Sequence, residues 1–305
     1  MVNCFTQNYS MSNILILGLG YVGWEIARLY RNNNNHNVLI VDSQFYPDRV
    51  AQMKKWEIKY QQKDIFSTQN LVNSADLIYN TVSITNVPQT ENQSNPEIDS
   101  LIEKVGTEGN RYVISHTRKD AKIIFLSTHV IFEGYDNVFN IEEDQKPLPL
   151  LAYGRSKFQS ESDIINSGKN FIIGRLGSTY GYNPAIRWKI VSNLFAKMAT
   201  IDKKIKVFNK NGYKPIAGTR DVARALKYLA ENYNKETYHL VNENKKVLEL
   251  AEICKQNSLD LNIEIVIDDN PGFGYTLSNF KLLDTGFCFE QNVENEIQKM
   301  IKIWG

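Results

Sequence analysis

A chain of 305 residues can form one large domain or two smaller ones, and at 42% hydrophobic it can bury a sizeable core. Its 35 basic and 34 acidic residues leave a net charge of +1, which argues against a polyanion-binding surface and against nucleic acid as a partner. Cys4, Cys254 and Cys288 are an odd, scattered set that suits neither a disulfide framework nor a metal cluster, and they point to a reducing, cytoplasmic setting.

The four histidines (His36, His116, His129, His239) lack ligand spacing, so no metal is expected. No apolar stretch reaches the roughly 18 residues of a membrane span, so no membrane partner is expected. Residues 1–11 are polar, lack a signal-peptide core and are expected to form a disordered tail, with Met11 a second candidate start.

In chain order, residues 13–17 (NILIL) form a short apolar run stopped by glycines, the signature of a buried parallel strand. Residues 23–31 read as a helix and 31–37 (RNNNNHN) as a solvated turn. Strands follow at 38–42, 76–80, 122–127 and 170–175, with helices at 97–117 and 151–167 between them. Strands alternating with helices predict an α/β fold, a doubly wound parallel sheet. The later chain reads as helices at 186–199 and 219–232, the second carrying Val222, Leu226 and Leu229 on one face. A strand at 238–241 is expected to return to the main sheet, before helices at 247–255 and 292–303 and a strand at 262–267.

Gly18-Leu19-Gly20-Tyr21-Val22-Gly23 follows the first strand and opens the first helix, the context a GxGxxG turn requires. Gly18 permits the tight turn, Gly20 the approach of a pyrophosphate, and Gly23 close packing of helix on strand. Tyr21 and Val22 lie in the helix N-terminus, whose free N–H groups and partial positive charge favour phosphate. Asp42 ends the second strand about 20 residues past the last glycine, where an acid binds the ribose hydroxyls of NAD and repels the 2′-phosphate of NADP. The other reading of Asp42 is a turn residue at a strand end. Asp64 and Ile65 are a candidate adenine contact or an ordinary loop acid and its neighbour. A Rossmann-type, NAD-binding domain is therefore expected over 12–180, with 216–242 returning to it. Residues 181–215 and 243–305 are left for a smaller substrate-binding lobe.

Tyr153-Gly154-Arg155-Ser156-Lys157 places a phenol and an ammonium on one helix face. A lysine beside a tyrosine favours the phenolate and lowers its pKa from about 10 towards working pH. Such a phenol can give or take a proton on an alcohol or carbonyl oxygen, and the nucleotide turn supplies hydride transfer as the matching chemistry.

The glycine turn, the Asn80-Thr81-Val82-Ser83 segment, Ser127-Thr128 and the YxxxK set together resemble the extended short-chain dehydrogenase/reductase family of nucleotide-sugar epimerases, dehydratases and reductases. The resemblance continues through Arg175-Leu176-Gly177-Ser178-Thr179-Tyr180-Gly181 and 218–225 to Tyr238-His239-Leu240-Val241-Asn242. Residues 127–157 look most like the dTDP-4-dehydrorhamnose reductase branch, and 175–225 like UDP-galactose 4-epimerase relatives. The resemblance implies that Tyr153 is the general acid/base and that Lys157 binds the nicotinamide ribose and depresses the Tyr153 pKa. It also implies that Thr128 holds the reacting sugar oxygen and that Asn80 and Ser83 line the cofactor. It implies a nucleotide-sugar substrate and a homodimer built on helices near 97–117 and 151–167.

Three departures stand out. Leu17 replaces the first glycine of a GxxGxxG turn. His129-Val130 replaces the Asp-Glu of dehydratases, which disfavours dehydration and leaves His129 as a loop histidine or an alternative acid/base. Ser178, Lys214 and Phe273 replace an asparagine and two arginines of the family's diphosphate site, a lysine giving a point charge where arginine gives a fork. Arg187 and Lys189 are candidate replacements, or parts of a solvated face. The resulting expectation is an NAD-dependent nucleotide-sugar epimerase. A one-step 4-keto-sugar reductase using NAD(P)H and a non-catalytic regulatory subunit are the alternatives.

Overall fold

The structure is a computed structural model that describes residues 11–32, 35–85, 95–258, 264–268, 272 and 274–304. The first half runs β1 (Ser12–Leu17), α1 (Tyr21–Leu29), β2 (His36–Asp42), α2 (Pro47–Lys55), β3 (Lys59–Gln62), α3 (Gln69–Ser74), β4 (Leu77–Asn80), α4 (Pro96–Ile102), α5 (Gly109–His116) and β5 (Lys122–Thr128). Next come β6 (Val138–Ile141), α6 (Ala152–Asn166), β7 (Asn170–Leu176), β8 (Ser178–Tyr180), α7 (Val191–Lys197), β9 (Lys204–Phe208), β10 (Tyr213–Gly218) and α8 (Thr219–Asn232). The chain ends with β11 (Glu236–Leu240), β12 (Glu243–Lys246), α9 (Val247–Gln256), β13 (Glu264–Asp268), β14 (Tyr275–Leu277), α10 (Phe280–Leu283) and α11 (Val293–Trp304).

Seven strands form one parallel sheet in the order β11-β7-β5-β4-β1-β2-β3. Every strand read from the first half is in it, and the strand read at 238–241 is β11, paired with β7. Helices cover both faces, so β5 is buried along almost its whole length and reads as a continuous apolar run. Strand order reverses between β1 and β4, and a Rossmann sheet opens its ligand crevice at the carboxyl ends of such a pair. Gly18 and Thr81 follow those two ends directly, and the Thr81 N–H donates to the Leu17 carbonyl at 2.9 Å.

The helix read at 97–117 is α4 and α5 joined by a π-helical segment, Glu103–Glu108. That segment lies against α6: the Thr107 and Ser156 hydroxyls are 2.9 Å apart, and a side chain at Gly106 would collide with Ser156. The helix read at 186–199 starts only at Val191. Before it, Asn193 Nδ2 donates to the Arg187 carbonyl at 3.1 Å and Arg187 Nη2 reaches the Thr85 carbonyl at 2.8 Å, so 186–190 is an ordered turn.

The remaining strands make three small sheets, β12-β10-β8, β13-β9 and β14-β6. Tyr180, Phe195, Ile205, Ile216, Leu250 and Met300 belong to a second core under them, separate from the core of the main sheet. No helix among the described residues is long and apolar enough to cross a membrane, and no group of His, Cys, Asp and Glu among them could hold a metal ion.

Candidate active site

Gly18 has φ +94°, a left-handed conformation that strains any side chain, and a Cβ there would stand 2.7 Å from Thr81 Oγ1. A side chain at Gly23 would run into the Gly18 carbonyl oxygen, which holds α1 close to the turn. At Gly20 nothing lies within 4 Å of an added Cβ. Gly20 is also the N-cap of α1, with no side-chain cap and no acid in the first turn. Free amides facing open space beside a positive helix end suit a dinucleotide pyrophosphate.

Tyr21 and Val22 can serve that site through the backbone alone. The Tyr21 hydroxyl donates to the Gly181 carbonyl and accepts from Asn193 Nδ2 at 3.1 Å, while Val22 packs into the main core. Asp42 fastens the turn: Oδ2 accepts the Leu19 N–H at 2.6 Å and Oδ1 the Gln44 N–H at 3.0 Å. Arg49 grips the same turn through the Leu19 carbonyl at 3.2 Å. Asp64 caps a short 3-10 turn by accepting the Phe66 N–H at 2.9 Å, and Ile65 is buried against Gly109. Asn80 donates to Asn110 Oδ1 at 3.0 Å, and its own Oδ1 is buried without a donor.

The residues expected to serve proton transfer and to line the cofactor converge from three elements. Thr128 ends β5, Tyr153 and Lys157 lie on α6, and Ser83 follows β4. The side chains of Ser83 and Thr128 stand beside the Tyr153 hydroxyl and, with Arg187, favour its ionised form. Burial raises the Tyr153 pKa and outweighs the lowering by Arg187, Ser83 and Thr128. Lys157 does not face the phenol: its Nζ donates to the Leu126 carbonyl at 2.7 Å and sits 4.6 Å from the centre of the Phe125 ring. Burial brings its pKa down to about 7 against the opposing charge of Glu161. A lysine that deep has little charge to lend a neighbour.

His129 is not a loop residue on the surface. Its Nδ1 is 2.8 Å from the Tyr275 hydroxyl and its Nε2 3.1 Å from Ser178 Oγ, while the Tyr275 hydroxyl donates to the His129 carbonyl at 2.9 Å. Since that phenol proton is committed, Nδ1 donates to Tyr275 and Nε2 accepts from Ser178. Burial first, then Lys214 and His239, push the His129 pKa down to about 3, so it is neutral and no acid near pH 7. The Ser178 hydroxyl is spent on this chain. Lys214 is exposed on β10, and the desolvation it still meets lowers its pKa against the pull of Glu133. Lys189 is exposed. Phe273 lies outside the described residues.

Two features escaped the sequence reading. Glu133 follows the turn after Thr128 and acts electrostatically on Tyr153, Lys214 and Tyr275. Its only sequence signal is an acid just after the strand-end hydroxyls. Behind α6, Arg175 forks onto the buried Glu161 through Nη2 at 2.8 Å and Nε at 3.0 Å.

A parallel sheet with its switch point beside a glycine turn, and a Ser/Thr–Tyr–Lys set at the same end, define an extended short-chain dehydrogenase/reductase. The family model of the RmlD substrate binding domain matches residues 11–260, and the chain belongs to that family. It is 30% identical over 125 residues to the probable low-salt glycan biosynthesis reductase Agl14 of Haloferax volcanii, covering 39% of this chain and 40% of that protein. It is 28% identical over 176 residues to a dTDP-4-dehydrorhamnose reductase of Aggregatibacter actinomycetemcomitans, covering 56% of this chain and 53% of that protein. The chain thus spans about half the length of these curated relatives or less. In three dimensions it resembles the UDP-glucuronic acid 4-epimerase of Bacillus cereus, solved with UDP-glucuronic acid and NAD. The TM-score is 0.81 at 17% identity, over 95% of this chain and 99% of that one, a likeness of fold.

Proposed function

We propose that this chain is a nicotinamide-dependent reductase of a nucleotide-linked keto-sugar. The observation that supports the reading is that a chain matching the RmlD family over 11–260 brings Tyr153 to the side chains of Thr128 and Ser83 past the carboxyl ends of β5 and β4, where burial favours the protonated phenol. A phenol that holds its proton suits the donor of a reduction better than the base of an oxidation. Both curated relatives described above are named as reductases, which supports the same choice.

A reduced nicotinamide at the glycine turn supplies the hydride when bound. As the carbonyl carbon is reduced, the Tyr153 O–H would pass its proton to the carbonyl oxygen, giving a secondary alcohol. Thr128 and Ser83 hold that oxygen in line with the phenol. Arg187 and Lys214 supply the cleft's positive charge for the diphosphate, Lys214 as a point charge rather than a fork. The Asp42 carboxylate beside Leu19 favours NADH over NADPH, because a 2′-phosphate there meets a like charge. Two copies pair through the faces of α5 and α6, to be checked by sedimentation.

A second reading, an epimerase that retains NAD, uses the same residues and draws support from the 175–225 stretch. The test supplies NADH and a dTDP-4-keto-6-deoxy sugar to the purified protein. The expected result is one NADH consumed per alcohol formed. Interconversion of sugar epimers without net consumption would favour the epimerase, and no reaction at all the non-catalytic subunit.

A further inference from the structure

Strand β4 ends opposite Phe125, so Leu126, Ser127 and Thr128 run past it with β7 alone beside them in the sheet. That overhang borders the crevice at the carboxyl ends of the strands. It also leaves the strand end that carries Thr128 with sheet support on one side only. His129, the next residue, supplies the rest. The Tyr275 hydroxyl donates to the His129 carbonyl at 2.9 Å and accepts from His129 Nδ1 at 2.8 Å, so one phenol holds both the backbone and the ring. Nε2 takes the Ser178 hydroxyl at 3.1 Å. Tyr275 lies on β14 and Ser178 on β8, strands of two different small sheets, and both His129 and Tyr275 are buried. Thr128 Oγ1 accepts the Val130 N–H at 3.3 Å, a turn closed across His129, so a shift of His129 carries the Thr128 hydroxyl with it.

We propose that His129 is a positioning residue: clamped by Tyr275 and Ser178, it holds the Thr128 hydroxyl in place against the reacting oxygen. The proposal rests on the reductase reading above, in which Thr128 and Tyr153 share that oxygen. His129 moves no proton, because both ring nitrogens are already committed to protein partners. Its contribution is to the geometry of the reacting complex, where a displacement of about 1 Å costs on the order of 10²-fold in rate. The glycine turn and the cations Arg187 and Lys214, which bind the two ligands, do not draw on it.

The experiment measures reduction of a dTDP-4-keto-6-deoxy sugar by NADH in the wild type, Tyr275→Phe, His129→Phe and His129→Asn from about pH 6 to 9, with NADH affinity and thermal midpoint taken in parallel. Tyr275→Phe and His129→Phe are expected to lower kcat by about 10–10²-fold, while KM and the NADH Kd stay within about threefold. The asparagine amide nitrogen stands where Nδ1 stood, so His129→Asn keeps the donor to Tyr275 and is expected to turn over at least about fivefold faster than His129→Phe. The ratio of wild-type to variant kcat is expected to be the same at every pH. A ratio that changes with pH makes His129 an acid or base and overturns the proposal. So does a kcat within about threefold of wild type in Tyr275→Phe and His129→Phe, or an equal loss in His129→Asn and His129→Phe. Either Tyr275→Phe or the His129 pair decides the question if the other does not fold. In each of these cases the reductase reading stands. A wild type that binds NADH but does not reduce the keto-sugar overturns that reading, and the proposal with it.

Discussion

Tyr153 and Lys157 share a helix face, but the structure gives them separate surroundings. The phenol meets Ser83, Thr128 and Arg187, whereas the amine turns inward to the Leu126 carbonyl. Removing the phenolic proton alone tests the first role. Tyr153→Phe is expected to lower kcat for the keto-sugar by about 10²–10⁴-fold, the range for a positioned acid, with NADH affinity and thermal midpoint nearly unchanged. Lys157 makes a statement about stability. Its folded pKa, about 7, lies below the ordinary lysine value of 10.5, so the unfolded chain binds the extra proton between those values and stability rises with pH there. Below pH 7 both states are protonated and the full penalty of burying the charge remains. Lys157→Met is therefore expected to raise folded stability most at pH 7 and below, by about 5 kcal/mol at most, and the gain shrinks as pH climbs towards 10.5. Denaturant melts across that range check it, and the same variant should lose activity.

The glycine turn and YxxxK were legible because each is local, a few residues whose spacing alone sets their geometry. The charge state of Tyr153 was not, because it depends on depth of burial and on Arg187 from a distant segment. Glu133 was missed for a similar reason. The charge it influences, Lys214, comes from β10, and no spacing along the chain connects them.

At the scale of elements, the long apolar strands and α8 were readable from periodicity, and α8 buries the face that carries Val222, Leu226 and Leu229. The short strands of the second half were not, since β8 (STY) and β12 (ENKK) carry no apolar alternation. The delayed start of α7 was also hidden, because Arg187 spends its side chain on the other half of the molecule. Helix α6, which carries Tyr153 and Lys157, is seated by an ion pair that sequence could not show. Arg175 and Glu161 are both buried, and Arg175 also holds the Glu143 carbonyl at 2.8 Å. Removing one member strands the other charge in the interior, so Glu161→Ala is expected to cost about 3–5 kcal/mol by chemical denaturation. If the cost stays below about 1 kcal/mol, the pair does not seat the helix.

Across the whole molecule, the two cores meet at the first helix. The Tyr21 hydroxyl spans from α1 to Gly181 and Asn193, and Asn183 Nδ2 donates to the Tyr21 carbonyl and to Glu25 Oε1, each at 3.0 Å. The nucleotide turn and the second lobe are thereby tied to one helix. Tyr21→Phe leaves Asn193 and the Gly181 carbonyl short of a partner in a buried place and is expected to cost about 1–3 kcal/mol. It should also weaken nucleotide-sugar binding more than NADH binding, measured by parallel titrations, because the lobe loses its anchor while the glycine turn keeps its own contacts.

Deuterium transfer from NADH labelled at its reactive carbon tests the direction of chemistry most directly. A keto-sugar nucleotide, the labelled cofactor and the purified protein are mixed for a single turnover, and the sugar is read by mass spectrometry. Label on the carbinol carbon, with oxidised cofactor released, is the expected result. Interconverted epimers carrying no label from the added NADH would contradict the reductase and give the site to a retained, self-regenerating NAD.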